Sequence, residues 1–148
     1  MNKKLLILCL FLFSCGYKPV YQNNNIQNLK FADIIPNGNK EINRKIINSL
    51  SIENDEDINN KNKLYITTSH KIETTSRDSQ GQAVSFRTNI SVNLNIKNDD
   101  KSKIKNFSKE FEYKNKDNKF ELVEYQNSIK NELVNEIIGE IIIYLNTQ

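Results

Sequence analysis

The chain has 148 residues, with 21 lysines and arginines against 18 aspartates and glutamates and a formal net charge of +3. So small an imbalance sets up no strong field, which excludes nucleic-acid binding by whole-surface attraction. The 2 cysteines, Cys9 and Cys15, both stand near the start, so the rest of the chain has neither disulfides nor cysteine-based metal sites.

Lys3 and Lys4 precede an unbroken apolar run, Leu5 to Phe13. A basic start, a short apolar run and a small residue before the cut make a secretory signal. The run is too short to span a bilayer, which takes roughly 20 apolar residues. Leu12-Phe13-Ser14-Cys15 resembles the bacterial lipobox, which implies cleavage before Cys15 and acylation of that residue. Several acyl chains anchor stably where one holds only marginally. Cys9 lies inside the apolar run and reads as discarded filler. Gly16 stands where aspartate would favour inner-membrane retention, so the same resemblance implies the outer membrane. The expected domains are a lipoprotein signal peptide over 1–14, a lipidated tether over 15–28 and one domain over 29–148.

Gly16-Tyr17-Lys18-Pro19-Val20-Tyr21 is an extended piece followed by polar linker. Leu29 to Ile35 reads as a first strand, and Pro36-Asn37-Gly38-Asn39 as a turn. Asn39 is placed to cap a helix with Glu41 in its first turn. Ile42, Ile46, Ile47 and Leu50 then share one face of a helix from about Lys40 to Ser51. Residues 51–63 are polar, with Glu53, Asp55, Glu56 and Asp57 clustered, and read as a solvated loop.

Leu64, Ile66, Thr68, His70 and Ile72 alternate with polar residues in a second strand. Arg77 to Gln82 connects it to a third. There Val84, Phe86, Thr88, Ile90, Val92, Leu94 and Ile96 alternate with Ser85, Arg87, Asn89, Ser91, Asn93 and Asn95. Seven steps of period two predict a strand covered on one side only. Residues 97–103 turn the chain into a fourth strand carrying Phe107, Phe111 and Tyr113. Lys109 interrupts its apolar side, as an inward charge does on a sheet edge. From Phe120 the period becomes helical: Leu122, Tyr125, Ile129, Leu133, Ile137, Ile141 and Tyr144 form a stripe. The helix from about Glu121 to Leu145 ends apolar nearly all round, so it needs a second surface besides the sheet.

The expected fold class is α+β, in the order β-α-β-β-β-α. It is a two-layer sandwich: a four-stranded, mostly antiparallel sheet with both helices packed on one face. The other face is bare, polar and nearly uncharged. Such a face suits a polar enclosure such as the lumen of a large outer-membrane barrel, although codon bias accounts for its asparagines equally well.

Cys15-Gly16-Tyr17-Lys18-Pro19-Val20-Tyr21 resembles the start common in the LPS-assembly lipoprotein family (LptE, RlpB-like). The helix around Arg44 to Leu50, the strands with Arg77 and Arg87, and the long last helix follow in the same order. The resemblance implies a non-enzymatic outer-membrane lipoprotein, facing the periplasm, that needs no cofactor. It implies a plug and assembly partner of the LptD-type barrel that delivers lipopolysaccharide to the outer leaflet. Lipopolysaccharide carries phosphates, which Arg77, Arg87 and Lys71 could contact by charge-assisted bonds. The alternative is an auxiliary or scaffold lipoprotein of another ABC-type envelope lipid-transport complex. An enzyme is not expected. His70 has no cysteine partner and no serine in a strained glycine elbow, and reads as a satisfied, partly buried histidine.

Overall fold

A computed structural model describes residues 30–55, 61–99 and 101–147. The expected signal, the tether with Cys15, and Glu56 and Asp57 of the acidic loop lie outside these residues. Strands β1 (Lys30–Phe31) and β2 (Asp33–Gly38) lead into helix α1 (Lys40–Ser49) and strand β3 (Glu53–Asn54). Then come β4 (Lys63–Arg77), β5 (Ala83–Asn98), β6 (Lys101–Lys114) and helix α2 (Lys119–Asn146).

The main sheet has the order β2-β4-β5-β6. β2 runs parallel to β4, and the other neighbours are antiparallel. Both helices cover one face, so the α+β sandwich is the one expected. The alternation of β5 fixes which side is which. Ile66, Leu94 and Ile90 point under the helices and are 0–2% exposed. The polar residues between them face the other way.

Local signals start and stop each helix. The Asn39 side chain accepts a hydrogen bond from the Ile42 N–H at 3.1 Å and caps α1. Past the Leu50 cap, Ser51 takes a left-handed φ of 48° and ends the run. Asn118 caps α2 by accepting from the Phe120 and Glu121 N–H groups. The 28-residue α2 is about 42 Å long at the usual rise. Its middle meets α1, while in its apolar end Ile143 stays 65% exposed. Lys130 of α2 pairs with Glu41 of α1 at 2.8 Å, and Lys45 donates to the Asn131 side chain at 3.3 Å.

Three stretches differ from the sequence reading. The expected first strand, Leu29 to Ile35, is replaced by β1 and β2, and β2 runs through the residues read as a turn. Pro36 is tolerated because β2 is an edge strand, where a missing N–H costs little. Gly38 has a φ of 86°, and a Cβ there would lie 1.9 Å from the Thr68 carbonyl oxygen. Glycine therefore serves close approach as well as the turn. The acidic loop contains β3, which pairs in parallel with β1. β6 begins at Lys101, within the expected turn. Its early residues Lys103 and Lys105 lie opposite Ile96 and Leu94, so lysines occupy the helix-covered phase of the strand.

Candidate ligand and partner surfaces

The β4–β5 hairpin outruns its cover. β2 pairs with β4 only as far as Thr68, opposite Gly38. There the Asn39 N–H donates to the Thr68 carbonyl (3.3 Å) and hydroxyl (3.1 Å), and the chain leaves the sheet as α1. Thr68 also donates to the Asn43 side chain at 3.0 Å, and Asn43 donates to the Asn37 carbonyl at 2.8 Å. This buried polar knot is fully paired, as buried polar groups require. Beyond it β4 and β5 project with β6 and the start of α2.

The bare face is organised in rows across the strands. Ser69 and Ser91 share a hydrogen bond at 2.8 Å, Asn93 donates to Asn106, and Ser102 donates to Asn95 at 2.7 Å. Toward the hairpin end the rows become charged: Lys71–Asn89–Glu110, then Glu73–Arg87–Glu112. Arg87 donates to Glu112 at 3.2 Å. That hydrogen bond, with the nearby Glu110 and Glu112 carboxylates, holds the Arg87 guanidinium above its ordinary value. Glu112 is held below the usual carboxylate range by hydrogen bonds from Thr75 and Arg87.

Of the three expected phosphate ligands, Lys71 and Arg87 fall on this face in neighbouring rows. Arg77 lies at the end of β4, where it donates to the Gly81 carbonyl at 2.8 Å. The Asp78 side chain closes the same loop by accepting from the Gln80 and Gln82 N–H groups. Arg87 is flanked by carboxylates, so an incoming phosphate must displace Glu112 to use its fork. Lys71 and Arg77 contact no carboxylate among the described residues.

The same end carries an apolar surface that the sequence reading passed over. Ile72, Val84, Phe111, Phe120 and Val123 are 41–69% exposed. Lys114, Lys116 and Lys119 interleave with them in the sequence, and Lys116 lies 4.6 Å from the Tyr125 ring centre. The signal was present in Phe120 and Val123, apolar residues off the buried stripe of α2. Exposed apolar groups among cations can hold an amphiphile with an anionic head.

Clefts among the described residues lie at the sheet edges. One of about 490 Å³ lies between β2 and α1, beside Pro36, Asn43, Arg44 and Ile47. Another, about 500 Å³, lies between β6 and the end of α2, beside Lys105, Phe107, Ile143 and Tyr144. Lys109, expected to mark an edge, does lie on the edge strand β6. It bridges to Glu140 at 2.6 Å and Glu136 at 3.7 Å.

His70 is partly buried, as expected, but it is not satisfied. Its Nε2 is buried without a hydrogen-bond partner among the described residues. Burial pushes the imidazole below its ordinary value, Lys130 adds to this, and Glu41 opposes it. Among the described residues, no helix is long and apolar enough to cross a membrane.

No protein-family model matches the chain, and no curated protein matches it. Solved structures do. Rare lipoprotein B from Shewanella oneidensis superposes with a TM-score of 0.59 at 12% identity, over 78% of this chain and 94% of that one. A lipoprotein from Caulobacter crescentus gives 0.51 at 13% identity, over 77% and 88%. Lipoprotein B from Nitrosomonas europaea gives 0.53 at 8% identity, over 86% and 88%.

Proposed function

From a fold that this chain shares with bacterial lipoproteins, we propose that it is an envelope lipoprotein anchored through Cys15. In this reading it works in the outer membrane as an LptE-type plug and assembly partner of an LptD-type barrel, and it helps deliver lipopolysaccharide. The observation that carries the reading is the coincidence of that fold with a lipobox ending at Cys15. The bare face adds support. Its Ser and Asn rows satisfy one another and present few net charges, which suits contact with a polar barrel wall. The hairpin end adds more, because Arg77 stands at the end of β4 opposite Ala83, next to the exposed Val84, and lipopolysaccharide joins phosphates to acyl chains.

A mild-detergent pull-down from outer membranes tests the reading, comparing tagged wild type with Cys15→Ala. The expected result is a large β-barrel recovered near stoichiometry with the wild type. Recovery with inner-membrane permease subunits would replace it with the auxiliary ABC-type lipoprotein. Arg77→Glu is expected to weaken lipopolysaccharide binding several-fold with the thermal midpoint unchanged. Equal affinity would remove Arg77 from the ligand site.

A further inference from the structure

The main sheet has two edges, and they are built differently. β6, the far edge, carries Lys103, Lys105 and Lys109 on its helix-covered phase, opposite Ile96, Leu94 and Ile90. Inward-phase lysines on an edge resist pairing with another strand, because pairing would bury their charge. Among the described residues, β4 becomes an edge only beyond Thr68, where β2 stops. On the same phase this open run has His70, Ile72 and Thr74, with no lysine. Ile72 is 41% exposed there. The strand is regular up to Thr74, after which a register shift interrupts it. Its regular part, Ser69 to Thr74, is as long as β2, which has 6 residues. That length is about 20 Å.

From this contrast we infer that the open edge of β4, Ser69 to Thr74, accepts an extended segment of a partner protein as an added strand. The added strand continues the lane that β2 occupies against Lys63 to Thr68. An edge backbone presents alternating N–H and C=O groups that only another extended chain pairs in series, so a helix or a globular patch does not fit. The side chains specify the segment further. Ile72 asks for an apolar residue opposite it, on the helix-covered side. Lys71 and Glu73 face the bare side and hold no salt bridge among the described residues. They ask for an acidic and a basic residue, and cross-strand pairs of this kind favour one register. The bulge past Thr74 ends the added strand, as bulges do where pairing terminates. The inference stands apart from the barrel reading, since any partner with such a segment satisfies it.

The test uses the full lipidated chain in detergent and a capped peptide, Thr-Val-Lys-Val-Glu-Val-Thr, as probe. Run antiparallel to β4, the peptide sets its lysine against Glu73 and its glutamate against Lys71. Amide hydrogen exchange reports where it binds. The expected result is slower exchange confined to Ser69–Thr74, with at least a tenfold loss of peptide affinity in Ile72→Lys, which copies the lysine guard of β6. The thermal midpoint checks that Ile72→Lys is folded. Lys105→Ile on the other edge should leave affinity unchanged. Protection along Lys101–Lys114 instead, no protection at millimolar peptide, or equal affinity in Ile72→Lys would each overturn the inference. So would slow exchange of Ser69–Thr74 before peptide is added that is lost on deleting residues 16–28, because the chain's own segment would then hold the edge.

Discussion

The two halves of the β4–β5 hairpin share one alternating pattern and meet opposite surroundings. In the near half, Leu64, Ile66 and Leu94 are at most 2% exposed beneath α1 and α2. In the projecting half, Ile72 and Val84 occupy the same kind of position and are 41% and 43% exposed. Alternation decides which way a side chain points, but the cover laid over the strand decides whether it is buried. The near half is covered on both strands, whereas in the far half β5 keeps its cover at Ile90 and Thr88 while β4 loses it at Ile72.

Paired substitutions sharpen that contrast. The largest difference is expected between Ile66→Ala and Ile72→Ala. Removing the Ile66 side chain leaves a cavity in the core and costs about 4 kcal/mol, whereas the half-open Ile72 site costs about 1 kcal/mol. Urea denaturation followed by circular dichroism reads both, and equal losses would mean that the hairpin is packed throughout. The two left-handed glycines come next. Gly38→Ala would drive a Cβ into the Thr68 carbonyl oxygen at 1.9 Å, whereas Gly81 has nothing within 4 Å. We expect a loss of about 3 kcal/mol at Gly38 from left-handed strain plus overpacking, against about 1 kcal/mol at Gly81 from strain alone. Thermal midpoints in one buffer compare the two.

The smallest effect tests the boundary between the halves, where His70 sits. Its folded imidazole is held below the ordinary value by burial first and by Lys130 second, with Glu41 opposing. The unfolded chain binds a proton near pH 6.5 while the folded one does not, so stability is full above about pH 6.5 and falls as the pH drops below it. Denaturation midpoints at about pH 7 and about pH 5.5 should diverge in wild type more than in His70→Phe. Identical slopes would show that the site opens to solvent.

Most of the scaffold was legible because its signals are local. Asn39 precedes an apolar stripe and does cap its helix, and strand β5 extends even beyond its expected ends. What escaped depends on partners distant in sequence. Pro36 and Gly38 read as a turn until β4 is placed beside them. Glu53 and Asn54 read as loop because their strand exists only against Lys30 and Phe31. At the candidate site the positions of Lys71 and Arg87 on the bare face followed from parity. The carboxylates around Arg87 did not, because Glu112 belongs to another strand and meets it only through the register of β5 with β6. The His70 Nε2 likewise looked ordinary in sequence, since its lack of a partner depends on what α1 and α2 bring above it.

The parallel pairing of β2 with β4 also decides how the domain carries a mechanical load. The chain enters at Lys30, beside the Lys63 end of β4, and the hairpin tip is at the opposite end of the same strand. A pull between whatever holds the residues before Lys30 and a partner gripping the tip draws β2 and β4 in opposite directions along their common axis. The hydrogen bonds from Asp33 to Gly38 then bear the force together in shear instead of opening one after another like a zipper. Such a geometry lets a tethered domain be tugged at its far end without peeling the edge strand away.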